Sequence, residues 1–325
     1  MVRRSHVLRT LLAIAAGSLM SPALQAADTW PTKPIRLVVP YPPGGSSDII
    51  ARSIGQLISQ ELKQSVIIEN KAGANGNLGA EFVARAQPDG YTWLLCDLGA
   101  LAISPAVYTK LSFDPSKDLR GAAMLAYSPH MLVVHPSVPA RNLQELVDLS
   151  KKQDLNFAVT ATGSAPHLAG VELARITGAK WVYVPYKGGV QSVQDTVSGQ
   201  TQVLMNGMLA TYPHVQSGKL KLLGISKSAR MPLIADVPTL AEQGAQGFAS
   251  GTWQGVVLPA KTPEAIVQRV NQVLLTAIRT PEVRARLTGQ GAEVVTMTPT
   301  ETDKFFNAER MRWHTVVQTA KLQLD

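Results

Sequence analysis

A chain of 325 residues, 45% hydrophobic and 17% charged, has the length for two domains and too much apolar content for disorder. A single cysteine excludes a disulfide-stapled scaffold, and a formal charge of +8 without any Lys/Arg run argues against nucleic acid as a partner. Aromatics are only 6% of residues, so the core has to be mostly aliphatic.

At the N-terminus, Arg3, Arg4 and Arg9 precede an apolar run over 11–20, followed by the small-residue stretch 21–27. Charge, a short apolar run and small residues form the pattern of a secretory signal peptide over 1–26, cleaved near Ala26 or Ala27. The run is too short to span a bilayer, which disfavours the alternative of an N-terminal anchor. Removing those three arginines leaves 28 basic residues (31 less three) against 23 acidic ones, a mildly basic exported protein expected in the periplasm. Cys96 is alone, so no internal disulfide is expected even there.

Short β-branched runs then alternate with helix-period segments, the pattern of an α/β chain with largely parallel sheets. Strands are expected over 35–39, 66–68, 92–96, 131–134, 156–159, 181–184, 202–205, 221–225 and 255–258. A helix from about Asp48 places Ile50, Ile54, Leu57, Ile58 and Leu62 on one face, with Ser46, Ser47 and Asp48 as N-capping oxygens. A second helix starts at Pro263 and carries Ile266, Val267, Val270, Val273, Leu274 and Ile278; a third spans about 300–320. Two sheet-and-helix layers predict two α/β domains. Extended segments at 124–128 and 250–255 are candidate crossing strands, which would make the second domain (127–249) an insertion in the first (27–126 and 250–325).

Three loops after strands carry the chemistry. In the first, Tyr41-Pro42-Pro43-Gly44-Gly45-Ser46-Ser47-Asp48, the glycines allow close backbone approach and lead into a helix N-terminus. Unsatisfied first-turn N–H groups and the helix dipole make such an end an anion site. An ordinary capped strand-to-helix connection would use the same residues. The loop lacks the G-K-[ST] of a phosphate loop, and no G-x-G-x-x-G occurs. The second loop, Thr160–His167, contains Thr162, Gly163, a potential cap in Ser164, and His167, which reads either as a ligand contact or as a local hydrogen-bonding residue. In the third, Tyr186 is a cleft-lining candidate and Lys187 a point charge or a solvated lysine; Asn206, ending a strand, adds a polar contact. No nucleophile elbow appears, the six histidines are scattered without metal-ligand spacing, and Cys96 has no basic neighbour to activate it. Neither enzyme activity nor a metal or cofactor is expected.

The stretch from Trp30 to Asp48, the segment Glu69-Asn70-Lys71-Ala72-Gly73-Ala74-Asn75-Gly76-Asn77-Leu78-Gly79-Ala80, and the pieces Pro88-Asp89-Gly90-Tyr91-Thr92 and Val184-Pro185-Tyr186-Lys187-Gly188-Gly189 resemble the Bug-type solute receptors of the tripartite tricarboxylate transporters. Asp236-Val237-Pro238-Thr239-Leu240 and Leu258-Pro259-Ala260-Lys261-Thr262-Pro263 extend the resemblance over nearly the whole mature chain. It implies a two-domain periplasmic binding fold, type II-like, each domain a mostly parallel sheet flanked by helices, with the second inserted in the first. It further implies a ligand carboxylate held between loops 42–48 and 160–167, and the ligand's other end against the loop that begins Cys96-Asp97. The function implied is a monomeric receptor that captures a small organic carboxylate and delivers it to a membrane transporter. A receptor signalling to a sensor kinase is the alternative. Asp97 departs from the Gly/Thr/Ser-rich pattern of that last loop: if it faces the cleft it disfavours a second carboxylate, and otherwise it serves the turn.

Overall fold

The computed structural model describes residues 30–108 and 110–319. The expected signal segment, 1–26, lies outside them. The chain begins with β1 (Ile35–Val39), α1 (Ser46–Leu62), β2 (Val66–Asn70), α2 (Asn77–Ala84), β3 (Thr92–Cys96), α3 (Ser104–Val107) and β4 (Leu119–Val134). It continues with α4 (Leu143–Ser150), β5 (Asn156–Val159), α5 (Ala165–Thr177), β6 (Val182–Pro185), α6 (Gly189–Val197), β7 (Val203–Gly207), α7 (Met208–Gln216) and β8 (Lys221–Ile225). The last elements are β9 (Gly251–Pro259), α8 (Glu264–Arg279), α9 (Pro281–Gly289), β10 (Glu293–Val294) and α10 (Pro299–Thr319).

The strands join in the order β2-β1-β3-β9-β4-β7-β5-β6, with β8 and β10 also pairing β4. Parallel pairing is confined to β2-β1-β3 at one end and β6-β5-β7 at the other. Helical crossovers such as α1 and α5 supply the connections that parallel neighbours require. The middle is antiparallel because β4 leaves the first half and β9 returns to it. Residues 119–129 of β4 pair with β9, and from His130 onward the same strand pairs with β7. The two segments expected as crossing strands are these two, and β4 is far longer than its aliphatic tail, 131–134, indicated.

Each half of the sheet is covered on both faces. Ile50, Ile54 and Ile58 of α1 pack with Val267, Val270 and Leu274 of α8 over one face of the first half; Leu94, Leu101, Phe306 and Trp313 fill the other. Leu132, Phe157 and Leu173 build one core of the second half, and Met131, Ala158 and Leu204 the other. No helix among the described residues is long and apolar enough to cross a membrane.

Where β4 changes partners, His130 is fully buried. Its Nδ1 lies 2.8 Å from Ser250 Oγ and its Nε2 2.8 Å from Thr252 Oγ1, tying the two crossing strands together. Burial pushes its pKa down to about 3, so the imidazole is neutral at physiological pH.

Candidate functional site: a polar cavity between the two halves

The loops that follow β1 and β5 deliver the N-termini of α1 and α5 to one cavity of about 40 Å3. The two ends differ. Gly45 caps α1 in an extended conformation, and no side chain bonds to the first-turn N–H groups. The capping oxygens expected from Ser46, Ser47 and Asp48 therefore do not act as caps. Asp48 instead accepts from Gly44 N (2.9 Å), Arg52 Nε (2.8 Å) and, through its second oxygen, Asn70 Nδ2 (2.9 Å). Burial alone would raise its pKa, but these donors outweigh burial and hold the carboxyl below its ordinary value. The α1 terminus is left with its amide donors uncapped beside Gly45, Ser46 and Ser47, all of which line the cavity.

At α5 part of the first turn is already satisfied. Ser164 Oγ accepts from His167 N (3.3 Å), Pro166 has no N–H to offer, and His167 Nδ1 accepts from Gly163 N (3.0 Å). A third helix, α6, also opens uncapped at Gly188, and Gly189 lines the cavity. A Cβ on Gly189 would sit 3.1 Å from Asn206 Nδ2, which places that amide at the α6 terminus.

The cavity wall around Gly99 is rich in acceptors. Asp97 Oδ1 accepts from Tyr41 OH (2.6 Å) and Gly99 N (2.7 Å), so Asp97 both serves its turn and lines the cavity. Burial raises the pKa of Asp97, against the effect of these donors; burial and the neighbouring Asp97 raise that of Tyr41. Gly99 is required there, because a Cβ would lie 2.9 Å from both Asp97 Oδ1 and Tyr41 OH and 3.3 Å from Asn75 Oδ1. Asn75 bridges the two halves, donating from Nδ2 to Gly163 O at 3.1 Å.

Four buried polar atoms around this cavity have no protein partner: Asn75 Oδ1, Asn206 Nδ2, and both Nε2 and Oε1 of Gln254. Gln254 is wholly buried on β9, and its neighbour Thr252, the partner of His130, also lines the cavity. Unpaired buried amides cost roughly 1–3 kcal/mol each. Several of them converging on one space mark a place where a polar molecule completes the bonding.

Of the residues expected at the site, the cavity gathers Tyr41, Gly45, Ser46, Ser47, Asp97, Ser164 and Asn206. Pro43, Gly44, Thr162 and Gly163 belong to the flanking loops without lining it, and Asp48 anchors the first loop from behind. Cys96 is fully buried in the core under β3, where burial raises its thiol pKa. His167 stacks edge-on against Tyr183 at 4.9 Å and braces its own loop. Tyr186 packs in the second half's core and Lys187 is exposed; neither lines the cavity. Gly99 and Gly189 line the cavity from the loops after β3 and β6, and Asn75, Thr252 and Gln254 line it from outside every loop expected to hold the ligand. Gln254 carried one usable signal, an amide within an otherwise mostly apolar crossing strand. Asn75 carried another, an asparagine in the run Gly73-Ala74-Asn75-Gly76, a residue type that tolerates the positive φ of 53° it adopts.

The family model for the tripartite tricarboxylate transporter family receptor matches residues 50–322. The chain is similar to protein BugT of Bordetella pertussis, 33% identical over 314 residues covering 96% of each protein. Among solved structures it is similar to the periplasmic binding protein BugD (TM-score 0.86, 30% identical, 90% of this chain and 99% of that one). It is also similar to Rpa4515 of R. palustris with adipate (TM-score 0.87, 30% identical, 90% and 99%). A further match is MatC of Rhodopseudomonas palustris with bound malate (TM-score 0.83, 33% identical, 89% and 100%).

Proposed function

Because the chain belongs to the tripartite tricarboxylate transporter family of receptors, we propose that it is a periplasmic receptor that captures a small organic carboxylate between its two halves and delivers it to a membrane transporter. The observation that carries this reading is the cavity at the uncapped N-termini of α1 and α6, with Asn206 Nδ2 as a further buried donor lacking a partner. A carboxylate accepts from such donors without needing a cationic side chain. The adipate and malate in the two related structures belong to the same chemical class.

The same reading makes 27–126 with 250–325 one domain and 127–249 the other, with β4 and β9 as the hinge. The change of strand partner at Pro129–His130 supports that division. Closure of the halves around a ligand, stabilised by differential affinity for the closed form, is then the whole mechanism, and no bond of the ligand changes. The Asn75–Gly163 bond, which spans the two halves, belongs to that closed arrangement.

Thermal denaturation of the mature protein against a panel of carboxylic acids tests this. A ligand at a hundred times its Kd adds about 2.7 kcal/mol to apparent stability, an easily read rise in Tm. A panel that leaves Tm unchanged throughout, while esters or sugars raise it, would refute the carboxylate reading.

A further inference from the structure

Two parts of the cavity wall differ in hydrogen-bonding character, one around Gly99 and one around Gly189. Asn75 donates through Nδ2 to a backbone carbonyl, which fixes the amide's orientation and leaves Oδ1 as an acceptor with no partner. Asn206 has its Oδ1 toward Thr160 Oγ1 at 3.5 Å and its Nδ2 without a partner. Asn75 Oδ1 lies with Asp97 and Tyr41 around Gly99, whereas Asn206 Nδ2 lies at the start of α6. Gln254, unpaired at both ends, can complete either part. Among the described residues Asp97 is the only carboxyl side chain in the lining, and no lysine, arginine or histidine lines the cavity beside it.

We infer that this receptor's ligand is a small amino-carboxylic acid, its carboxylate at the α1 and α6 termini and its ammonium against Asp97 and Asn75 Oδ1. The inference rests on the carboxylate reading above and names the chemistry of the ligand's second end. An ammonium has three N–H donors and no acceptor, which suits a wall of carboxylate and amide oxygens. A second carboxylate in the same place would offer no donor to the Asp97 carboxyl or to the amide acceptor, in a space from which closure expels water. The dicarboxylates bound by the two related proteins are thus expected to be poor ligands here.

Calorimetric titration of the mature protein with three near-isosteric pairs provides the test: β-alanine against succinate, 4-aminobutanoate against glutarate, and 5-aminopentanoate against adipate. In at least one pair the amino acid is expected to bind tenfold or more tightly than its dicarboxylate. Asp97→Asn, whose amide oxygen can still accept from Tyr41 and Gly99, should cut that preference to threefold or less, mainly by weakening the amino acid. Dicarboxylates binding as well as or better than their partners would overturn the inference and leave the carboxylate reading standing. A preference that Asp97→Asn does not move would also overturn the assignment to Asp97. Silence of all six acids would count against both readings. The wild-type comparison decides by itself should the variant not fold.

Discussion

Gly44 and Gly45 are neighbours with different duties, and substitution separates them. Gly44 sits at φ +88°, a conformation side chains rarely adopt, and donates its N–H to Asp48. Gly44→Val should therefore destabilise the fold by about 1–3 kcal/mol, read as a lower urea midpoint. Gly45 has φ −76°, and a Cβ there would meet nothing nearer than Pro42 O at 3.8 Å. Valine at position 45 should be tolerated by the backbone while its methyl groups enter the cavity. The expected result is an unchanged urea midpoint with carboxylate affinity lowered a hundredfold or more, about 2.7 kcal/mol. Both glycines were legible as a loop that admits a ligand. Which one shapes the backbone and which one borders the ligand depends on φ and on tertiary neighbours, which residue identity alone does not encode.

At the level of elements, the crossing strands β4 and β9 are tied together by a fully buried histidine. His130 has a folded pKa of about 3 against an ordinary value of 6.5. Between those values the unfolded chain binds a proton that the folded one refuses. Its contribution to stability is therefore fully present above about pH 6.5 and is lost as pH falls toward 3, at up to about 1.4 kcal/mol per pH unit. Urea denaturation at pH 7 and pH 5 should show that loss in wild type, with a smaller difference in His130→Gln. Equal differences would mean that the imidazole is not held neutral.

The short strands 35–39, 92–96, 156–159 and 221–225 match their expected bounds, because four or five mostly apolar residues between turns leave little choice. The length of β4 was not legible. Arg120, Gly121, Ser128 and Pro129 interrupt its apolar pattern, and the strand is held by partners more than a hundred residues away. Similarly, α1 appears where its apolar face placed it, but its cap does not, since Asp48 found Arg52, Asn70 and Gly44 as better partners than its own first turn.

For the molecule as a whole, the two halves meet through the sheet and across the cavity, where Asn75 of the first half donates to Gly163 of the second. Asn75→Ala removes that bond and an acceptor from the wall around Asp97. Affinity for the bound acid should fall by about five- to 150-fold, the worth of two hydrogen bonds of about 0.5–1.5 kcal/mol each, with little change in the stability of the unliganded protein. The resemblance had located both loops that border the cavity, and seven of the sixteen expected contact residues do line it. Asn75, Gln254 and Thr252 reach the same space from other elements, so they become neighbours only through the sheet order β3-β9-β4 and the closure of the halves.

The most direct measurement is a calorimetric comparison of the tightest-binding acid with its own methyl ester, which keeps the shape and removes the negative charge. Amide donors at the termini of α1 and α6 should bind the acid at least a hundredfold more tightly than the ester, about 2.7 kcal/mol. An ester that binds as well as the acid would contradict a carboxylate held at those helix ends.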